Sequence, residues 1–482
     1  MKARYLKELI SPDLLVGNQE TENLLIKKIT YDSRKSDEAS LFVAIRGFVT
    51  DGHQYLRQAQ ENGAVAAVVE EVNNEIRIPQ YIVQNSRQAL ARIAANFYSP
   101  EVDQLRLAGI TGTNGKTTTS FLLRSVYNAA GLYSGLIGTI YYYIGSEKIK
   151  AWNTTPESID IFDMLYKMSV HGQKGCVLEA SSHGLTLHRL DCLPFEVAVF
   201  TNLSQDHLDF HSDFEAYYQA KKKLFELLKN DGRAVINQDD SYGRRLLKET
   251  EHESLSFSIQ EKADICAESW RSDLSGTQVD ISTPQGNLQV DSPLIGGFNV
   301  QNILAATGAG IAMNFDLDTI RKGIEQVERV PGRLEPVFTD RKQTIIVDYS
   351  HTPDALKKAL TVLRTMSKGD LWVVFGCGGN RDSKKRPLMG RIAEEGADHV
   401  IITSDNPRNE APMAIINDIL AGITDRMNIT IEEDRAKAIS LALSASKPED
   451  TILVAGKGHE DYQEIEGIRY PFDDRQVLQE LS

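Results

Sequence analysis

The sequence predicts an α/β protein of three domains: a small N-terminal α/β domain, a central P-loop ATPase-like domain on a mostly parallel sheet, and a C-terminal Rossmann-like domain. Three observations carry this. Short apolar runs alternate with helical stretches along the chain, the pattern of parallel sheets covered by helices. A Gly-rich segment, GITGTNGKTTT (109–119), falls where one such run meets a helix. A second complete alternation begins after VPGRLEP (330–336). With 482 residues, two to four domains are expected. The boundaries read as 1–102, 103–331 and 332–482.

In the first segment, LFVAI (41–45), AVAAVV (64–69) and QYIV (80–83) read as buried strands and 86–98 as a helix. The second opens with LRLAGI (105–110) as a strand, the Gly-rich turn, and a helix from Lys116. KGCVLEA (174–180), EVAVFTN (196–202) and RAVIN (233–237) are further strands, with helices at 116–130, 158–170 and 214–229. The Thr-, Ser- and Gly-rich stretch 265–295 alternates apolar and polar residues and reads as a β excursion. In the third segment, strands are expected at 344–349, 370–376, 398–403, 428–433 and 451–456, with helices near 353–366, 388–396, 411–424 and 434–446.

Composition narrows the function. There are 53 basic and 67 acidic residues, a formal charge of -14, so general nucleic-acid binding, which needs a basic face, is not expected. Cys176, Cys192, Cys266 and Cys377 form no CxxC pair, which argues against a zinc site or a disulfide framework. The N-terminus lacks the apolar core of a signal peptide, and no apolar run approaches the ~20 residues of a membrane span. A cytoplasmic protein, monomeric and without membrane association, is expected.

The Gly-rich turn is the strongest motif. Backbone N–H groups and the helix N-terminus would face a phosphate. Gly112, Thr113, Asn114, Gly115, Lys116, Thr117 and Thr118 are its members; Lys116 can reach the β- and γ-phosphates and Thr117 can face Mg²⁺. The strict P-loop form wants glycine at 110, where Ile110 stands. ATP binding alone leaves motor, kinase and ligase chemistry open.

TGTNGKTT (111–118) resembles the phosphate loop of the Mur ligase family, which includes folylpolyglutamate synthetases. Further resemblances follow in order: YDSR (31–34), NTTPES (153–158), LEASSHGL (178–185), NLSQDHLDFH (202–211), YYQAKKKLF (217–225) and GGFNVQNILAA (296–306). PGRLE (331–335), DYSHTPDAL (348–356), GCGGNRDSKKRPLM (376–389), DNPRNE (405–410) and GKGHEDYQ (456–463) complete the set.

The resemblance implies an ADP-forming amide ligase of peptidoglycan precursor synthesis, the third amino-acid-adding member, joining meso-diaminopimelate to the D-Glu of UDP-MurNAc-L-Ala-D-Glu. It implies Mg²⁺ with ATP as co-substrate, and metal ligation by Thr117, Glu179, His207 and a carbamylated Lys221. Lys116, Glu179, His207 and Lys221 are the catalytic candidates. A lone histidine is more often structural, and Lys221, beside Lys222 and Lys223, could equally be solvated surface; the motif context decides for ligation. Asn299 and Asn302, in a GFNVQN turn, and Arg333, Asp348 and Tyr349 would meet ATP. Ser33, Thr154, Thr155, Ser181 and Arg189 would hold the UDP-muramyl dipeptide. Leu187 stands where the family usually has glutamine, with His188 beside it.

Arg381, Asp405, Asn406, Pro407, Arg408, Gly456 and Glu460 would hold the diamino acid. Diaminopimelate differs from lysine by a second carboxylate, and a guanidinium binds carboxylates with a two-pronged fork; the arginine of DNPR supplies it. The alternatives are an L-lysine-adding ligase and, in another class, a nucleotide-binding switch or scaffold that ligates nothing.

Overall fold

A computed structural model describes residues 2–17, 19–47, 50–207 and 210–481. Leu208 and Asp209 of the NLSQDHLDFH motif lie outside the described residues. The chain divides into two compact units, one of Met1–Thr111, Gly131–Ala198 and Gln219–Ala234, the other of Gly112–Ala130, Val199–Tyr218 and Val235–Ser482.

In the first unit, strands Lys28–Thr30, Ser40–Val43, Ala64–Val69 and Gln80–Ile82 form a parallel four-stranded sheet in that order. Phe42, Ala44, Leu56, Ala67 and Val69 share its core. The helix Ser86–Tyr98 starts where Asn85 Oδ1 accepts from the N–H groups of Arg87 and Gln88, satisfying two otherwise orphaned donors. It packs on the helix Ser158–Val170. Strand Arg106–Thr111 pairs in parallel with Gly175–Glu179, which pairs on its other side with Ser134–Ile137. The five residues of Gly175–Glu179 are all buried, as in a strand covered on both faces. The hairpin Tyr141–Ile144 and Glu147–Lys150 lies outside the sequence expectation; Glu147–Lys150 is a largely exposed edge strand with Ile149 as its one apolar residue, so it shows no apolar run.

In the second unit, helix Lys116–Ala129 packs on helices Gly297–Ala312 and Leu317–Glu325. The expected β excursion is an antiparallel meander of Ile265–Asp273, Gly276–Thr283 and Gly286–Ser292. Two sequence readings are corrected. GFNVQN is not a turn: Asn299 and Asn302 lie inside the helix Gly297–Ala312, whose Gly296 N-cap has φ +100°. The helix expected over 214–229 ends at Glu226, and the following strand starts at Leu228 rather than 233. Leu227, Leu228 and Lys229 are good helix formers, but Leu227 O accepts from Phe195 N–H at 3.3 Å, so pairing with the neighbouring strand takes over there.

The C-terminal sheet has the order Glu335–Pro336, Thr344–Asp348, Thr451–Ala455, Leu371–Phe375, His399–Ile402, Ile429–Ile431, parallel except for the first pair. Alternation along the strands sorts side chains to two cores. Ile346, Val373 and Ile402 face Leu356, Leu360, Met389 and Ile416 of the helices on one side. Val347, Val374 and Ile401 face Ile439, Ala442 and Leu478 on the other. The last strand in sequence inserts between the first two long parallel ones, so connections diverge there. Open α/β sheets bind ligands at the carboxyl ends beside such a point. Four strand ends deliver Asp348, Gly376, residues preceding Asp405, and Gly456.

Candidate functional site

The phosphate loop is built around two obligatory glycines. A Cβ on Gly112 (φ +143°) would stand 1.9 Å from Thr201 Oγ1, and one on Gly115 (φ +86°) 2.5 Å from Asn302 Oδ1. The loop backbone is held from below: Thr113 N–H donates to Asn202 O at 2.9 Å, Asn114 N–H to Asn202 Oδ1 at 2.9 Å, and Thr201 Oγ1 to Asn114 O at 2.6 Å. Lys116 Nζ folds over it, donating to Gly112 O and Thr113 O at 2.8 Å each. Thr117 and Thr118 are buried in the first helical turn. Ile110 is a core residue of the preceding strand, which explains why the loop's first obligatory glycine falls at 112.

Asn302 Nδ2 donates to Asn299 Oδ1 at 2.8 Å, and Thr119 Oγ1 donates to Asn302 Oδ1 at 3.3 Å. The two asparagines therefore brace the loop from a neighbouring helix. Arg333 Nη2 reaches Thr117 Oγ1 at 3.1 Å, and its guanidinium lies 4.9 Å from the Tyr349 ring. Asp348 accepts from Leu334 N–H at 2.6 Å and from the Ser350 hydroxyl. Burial pushes the Asp348 carboxyl above the usual carboxylate range, against the pull of those donors. Three of the ATP candidates, Arg333, Asp348 and Tyr349, thus form one cluster linked to the phosphate loop. Asp354 escaped the sequence reading, yet Asn114 Nδ2 donates to its Oδ2 at 2.9 Å. Its place in the first turn of the helix Pro353–Met366 was the available signal.

His207 is 42% exposed, has φ +53°, and its Nε2 lies 3.5 Å from Asp206 Oδ2. Thr117 and His207 belong to the second unit; Glu179 and Lys221 belong to the first. Glu179 is buried at the end of its strand, accepting from Thr139 N–H at 2.9 Å and Thr139 Oγ1 at 2.8 Å. Lys221, in the helix Phe214–Glu226, is 1% exposed, so the solvated-surface alternative does not hold for it. Among the described residues, no group of three or more His, Cys, Asp or Glu side chains could by itself hold a metal ion.

The dipeptide candidates converge in part. Thr155 Oγ1 donates to Glu179 O at 2.8 Å and accepts from Ser181 N–H at 3.1 Å. Thr154 Oγ1 is 3.2 Å from Thr139 Oγ1. Arg189 donates to Thr155 O at 2.9 Å and pairs with Glu157 at 2.7 Å. Ser33 stands apart in the N-terminal sheet region, its hydroxyl donating to Gln58 Oε1 at 2.6 Å. Beside Leu187, His188 Nδ1 is engaged with Asp191 Oδ2 at 2.7 Å.

The diamino-acid candidates all gather at the carboxyl ends of the C-terminal strands. Asn406 Nδ2 donates to Glu460 Oε2 at 2.8 Å, and a Cβ on Gly456 (φ +111°) would lie 2.6 Å from Asp405 Oδ2. Arg408 Nη1 donates to Gly379 O at 2.8 Å, with Glu464 3.6 Å from its Nε. Arg381 is exposed on the loop after Phe375, and Pro407 O would lie 1.9 Å from a Cβ on Gly379. Lys457, missed in the sequence, is fully buried and donates to Asn406 Oδ1 and Glu460 Oε2 at 3.2 Å each. Burial and the nearby Asp405 push the Glu460 carboxyl up, while Lys457 and Asn406 act against them. The site thus offers guanidinium groups for carboxylates and a carboxylate for an ammonium.

Comparison with known proteins agrees along the whole chain. Family models match in sequence order: the Mur ligase family catalytic domain over 25–98, the Mur ligase middle domain over 110–310, and the Mur ligase glutamate ligase domain over 332–458. The chain is 43% identical over 487 residues to the UDP-N-acetylmuramoyl-L-alanyl-D-glutamate--2,6-diaminopimelate ligase of Clostridium tetani, covering 100% of this chain and 99% of that one. It is 43% identical to the enzyme of the same name from Aquifex aeolicus, covering 95% and 93%. A solved structure of a ligase of that name aligns with TM-score 0.72 at 33% identity, over 100% and 99% of the two chains. MurF ligase from Thermotoga maritima, solved in complex with ADP, shares the fold at TM-score 0.66 and 20% identity, over 90% and 95%.

Proposed function

This chain belongs to the Mur ligase family, and on that premise we propose that it is the ATP-dependent ligase that adds meso-diaminopimelate to the D-Glu of UDP-MurNAc-L-Ala-D-Glu. The observation that carries the choice of amino acid is the gathering of Arg408, Arg381, Asn406 and Glu460 at adjacent strand ends. A zwitterionic amino-acid end needs an acceptor for its ammonium and donors for its carboxylate. A second, distal carboxylate needs a further fork, which Arg408 supplies.

ATP would phosphorylate the free D-Glu carboxylate, giving ADP and an acyl phosphate; the amine of the diamino acid then displaces phosphate. Lys116 stabilises charge on the transferring phosphoryl group, and the loop N–H groups orient the nucleotide. Gly112, Thr113, Asn114, Gly115, Thr117 and Thr118 cradle the phosphates, with Asn299, Asn302, Arg333, Asp348 and Tyr349 completing the ATP site. Ser33, Thr154, Thr155, Ser181 and Arg189 hold the muramyl dipeptide.

In the second unit, Thr117 Oγ1 at the head of the phosphate-loop helix is a hard oxygen donor that fits Mg²⁺, with the His207 imidazole as a further candidate; in the first unit, the buried Glu179 carboxylate is a donor of the same kind. Mg²⁺ would neutralise phosphate charge there. Lys221, in the first unit, becomes an oxygen donor only as a carbamate formed with CO₂, an anion in place of a buried ammonium. The protein acts as a cytoplasmic monomer on small-molecule substrates.

The test is ADP release with UDP-MurNAc-L-Ala-D-Glu, ATP and Mg²⁺, with meso-diaminopimelate and L-lysine in parallel. Turnover with diaminopimelate alone is expected. Turnover with lysine would keep the ligase and remove the role given to Arg408, and silence with both would favour a nucleotide switch.

A further inference from the structure

Two loops carry the guanidinium groups of the amino-acid site: Gly376–Arg381 after one strand and Asp405–Glu410 after its neighbour. Beneath them lies a third arginine that the reaction does not use. Arg386, in the first turn of the helix Lys385–Gly396, has a side chain only 2% exposed. Its fork closes on Glu410, Nη1 to Oε2 at 2.8 Å and Nη2 to Oε1 at 2.9 Å. Nη1 also donates to Asp418 Oδ2 at 2.8 Å, and Nη2 to Gly378 O at 3.2 Å.

The pair binds both loops at once. Arg386 holds Gly378 of the first loop, and Glu410 of the second accepts from Asn380 N–H. Gly379 N–H donates to Asn406 O at 2.9 Å, and Asn409 N–H to Asn380 Oδ1 at 3.0 Å. Gly379 O is the acceptor that holds Arg408 Nη1. The position of the Arg408 fork therefore depends on a loop whose own position is set by Arg386 and Glu410. Burying a guanidinium against carboxylates carries a desolvation penalty that often cancels the Coulombic gain, so stability alone is a weak reason for it. Geometry is a better one, because a recognition fork must be held within roughly 0.5 Å to discriminate.

We propose that Arg386 and Glu410 are a positioning pair that fixes the spacing of the Arg381 and Arg408 loops and so sets the preference for an amino acid with a distal carboxylate. The inference rests on the ligase reading above. It is tested by steady-state kinetics of Arg386→Lys, which keeps the charge and loses the fork, and Glu410→Gln, which keeps the shape and loses the charge.

The KM for meso-diaminopimelate is expected to rise about 10–100-fold in both variants. The KM values for ATP and the UDP-linked substrate should stay within about twofold, and selectivity over L-lysine should fall. A merely structural role would lower thermal stability and kcat without splitting the three KM values. Should Arg386→Lys fail to fold, Glu410→Gln, at a carboxylate 31% exposed, carries the test by itself. Unchanged KM and selectivity in folded variants overturns the pair alone. Absence of wild-type turnover with any amino acid overturns the ligase reading and the pair together.

Discussion

At the scale of single residues, charge and geometry make separable demands. Arg408→Lys keeps a cation near Glu464 but replaces a planar fork by a point charge. It should raise the KM for meso-diaminopimelate about 10–100-fold with little change in that for ATP, read from initial rates with each substrate varied in turn. His351 makes the opposite point, a group kept neutral. Burial, and then the Lys385 ammonium, lower its pKa from 6.5 to about 4. Between those values the unfolded chain binds the proton that the folded chain refuses. The contribution of this group to stability should thus be level above about pH 6.5 and fall as pH drops toward 4. Urea midpoints at pH 7.5, 6 and 5 should fall more steeply for wild type than for His351→Gln. Residues of this kind divide by legibility. Lys116, Arg408 and Glu460 sit in motifs whose spacing announces them. Asp354, Arg386 and Lys457 stand in such motifs too, but their contacts with Asn114, Glu410 and Asn406 span 240, 24 and 51 positions of sequence, which no local spacing reveals.

At the scale of elements, apolar period and length were sufficient where segments are long. The strands Ala64–Val69 and Arg106–Thr111 and the helices Ser86–Tyr98 and Pro353–Met366 fall on or within a residue of their expected places. The edge strand Glu147–Lys150 is mostly exposed and has a single apolar residue, so its hairpin with Tyr141–Ile144 shows no apolar pattern, and the Gly-led opening of Gly297–Ala312 imitates a turn. That helix is buried on almost every side, so its sequence lacks a polar stripe. The phosphate-loop helix also meets its neighbour at close range: a Cβ on Gly323 would lie 2.4 Å from Val126 Cα, a backbone atom that cannot rotate away. Gly323→Ala should therefore destabilise by roughly 1–3 kcal/mol despite alanine's better helix propensity, seen as a lower denaturant midpoint at unchanged m-value.

At the scale of the whole molecule, sequence order and spatial grouping part company. The five sheets of the described residues follow one another along the chain, yet the two compact units exchange segments at five places. Residues 332–482 contain every strand of their sheet and most of the two cores on its faces. That fragment alone should give a cooperative thermal transition by circular dichroism. The fragment 1–234 should not, because it includes Gly112–Ala130 and Val199–Tyr218 without the unit they belong to. The same arrangement has a consequence for birth on the ribosome. The helix Lys116–Ala129 is made long before Gly297–Ala312, which begins 168 residues later. At 5–20 residues per second, its apolar face waits about 8–34 s for its cover. During that interval the nascent chain is a client for whatever shields greasy helices in the cell, and synonymous codons that slow this stretch would lengthen its exposure.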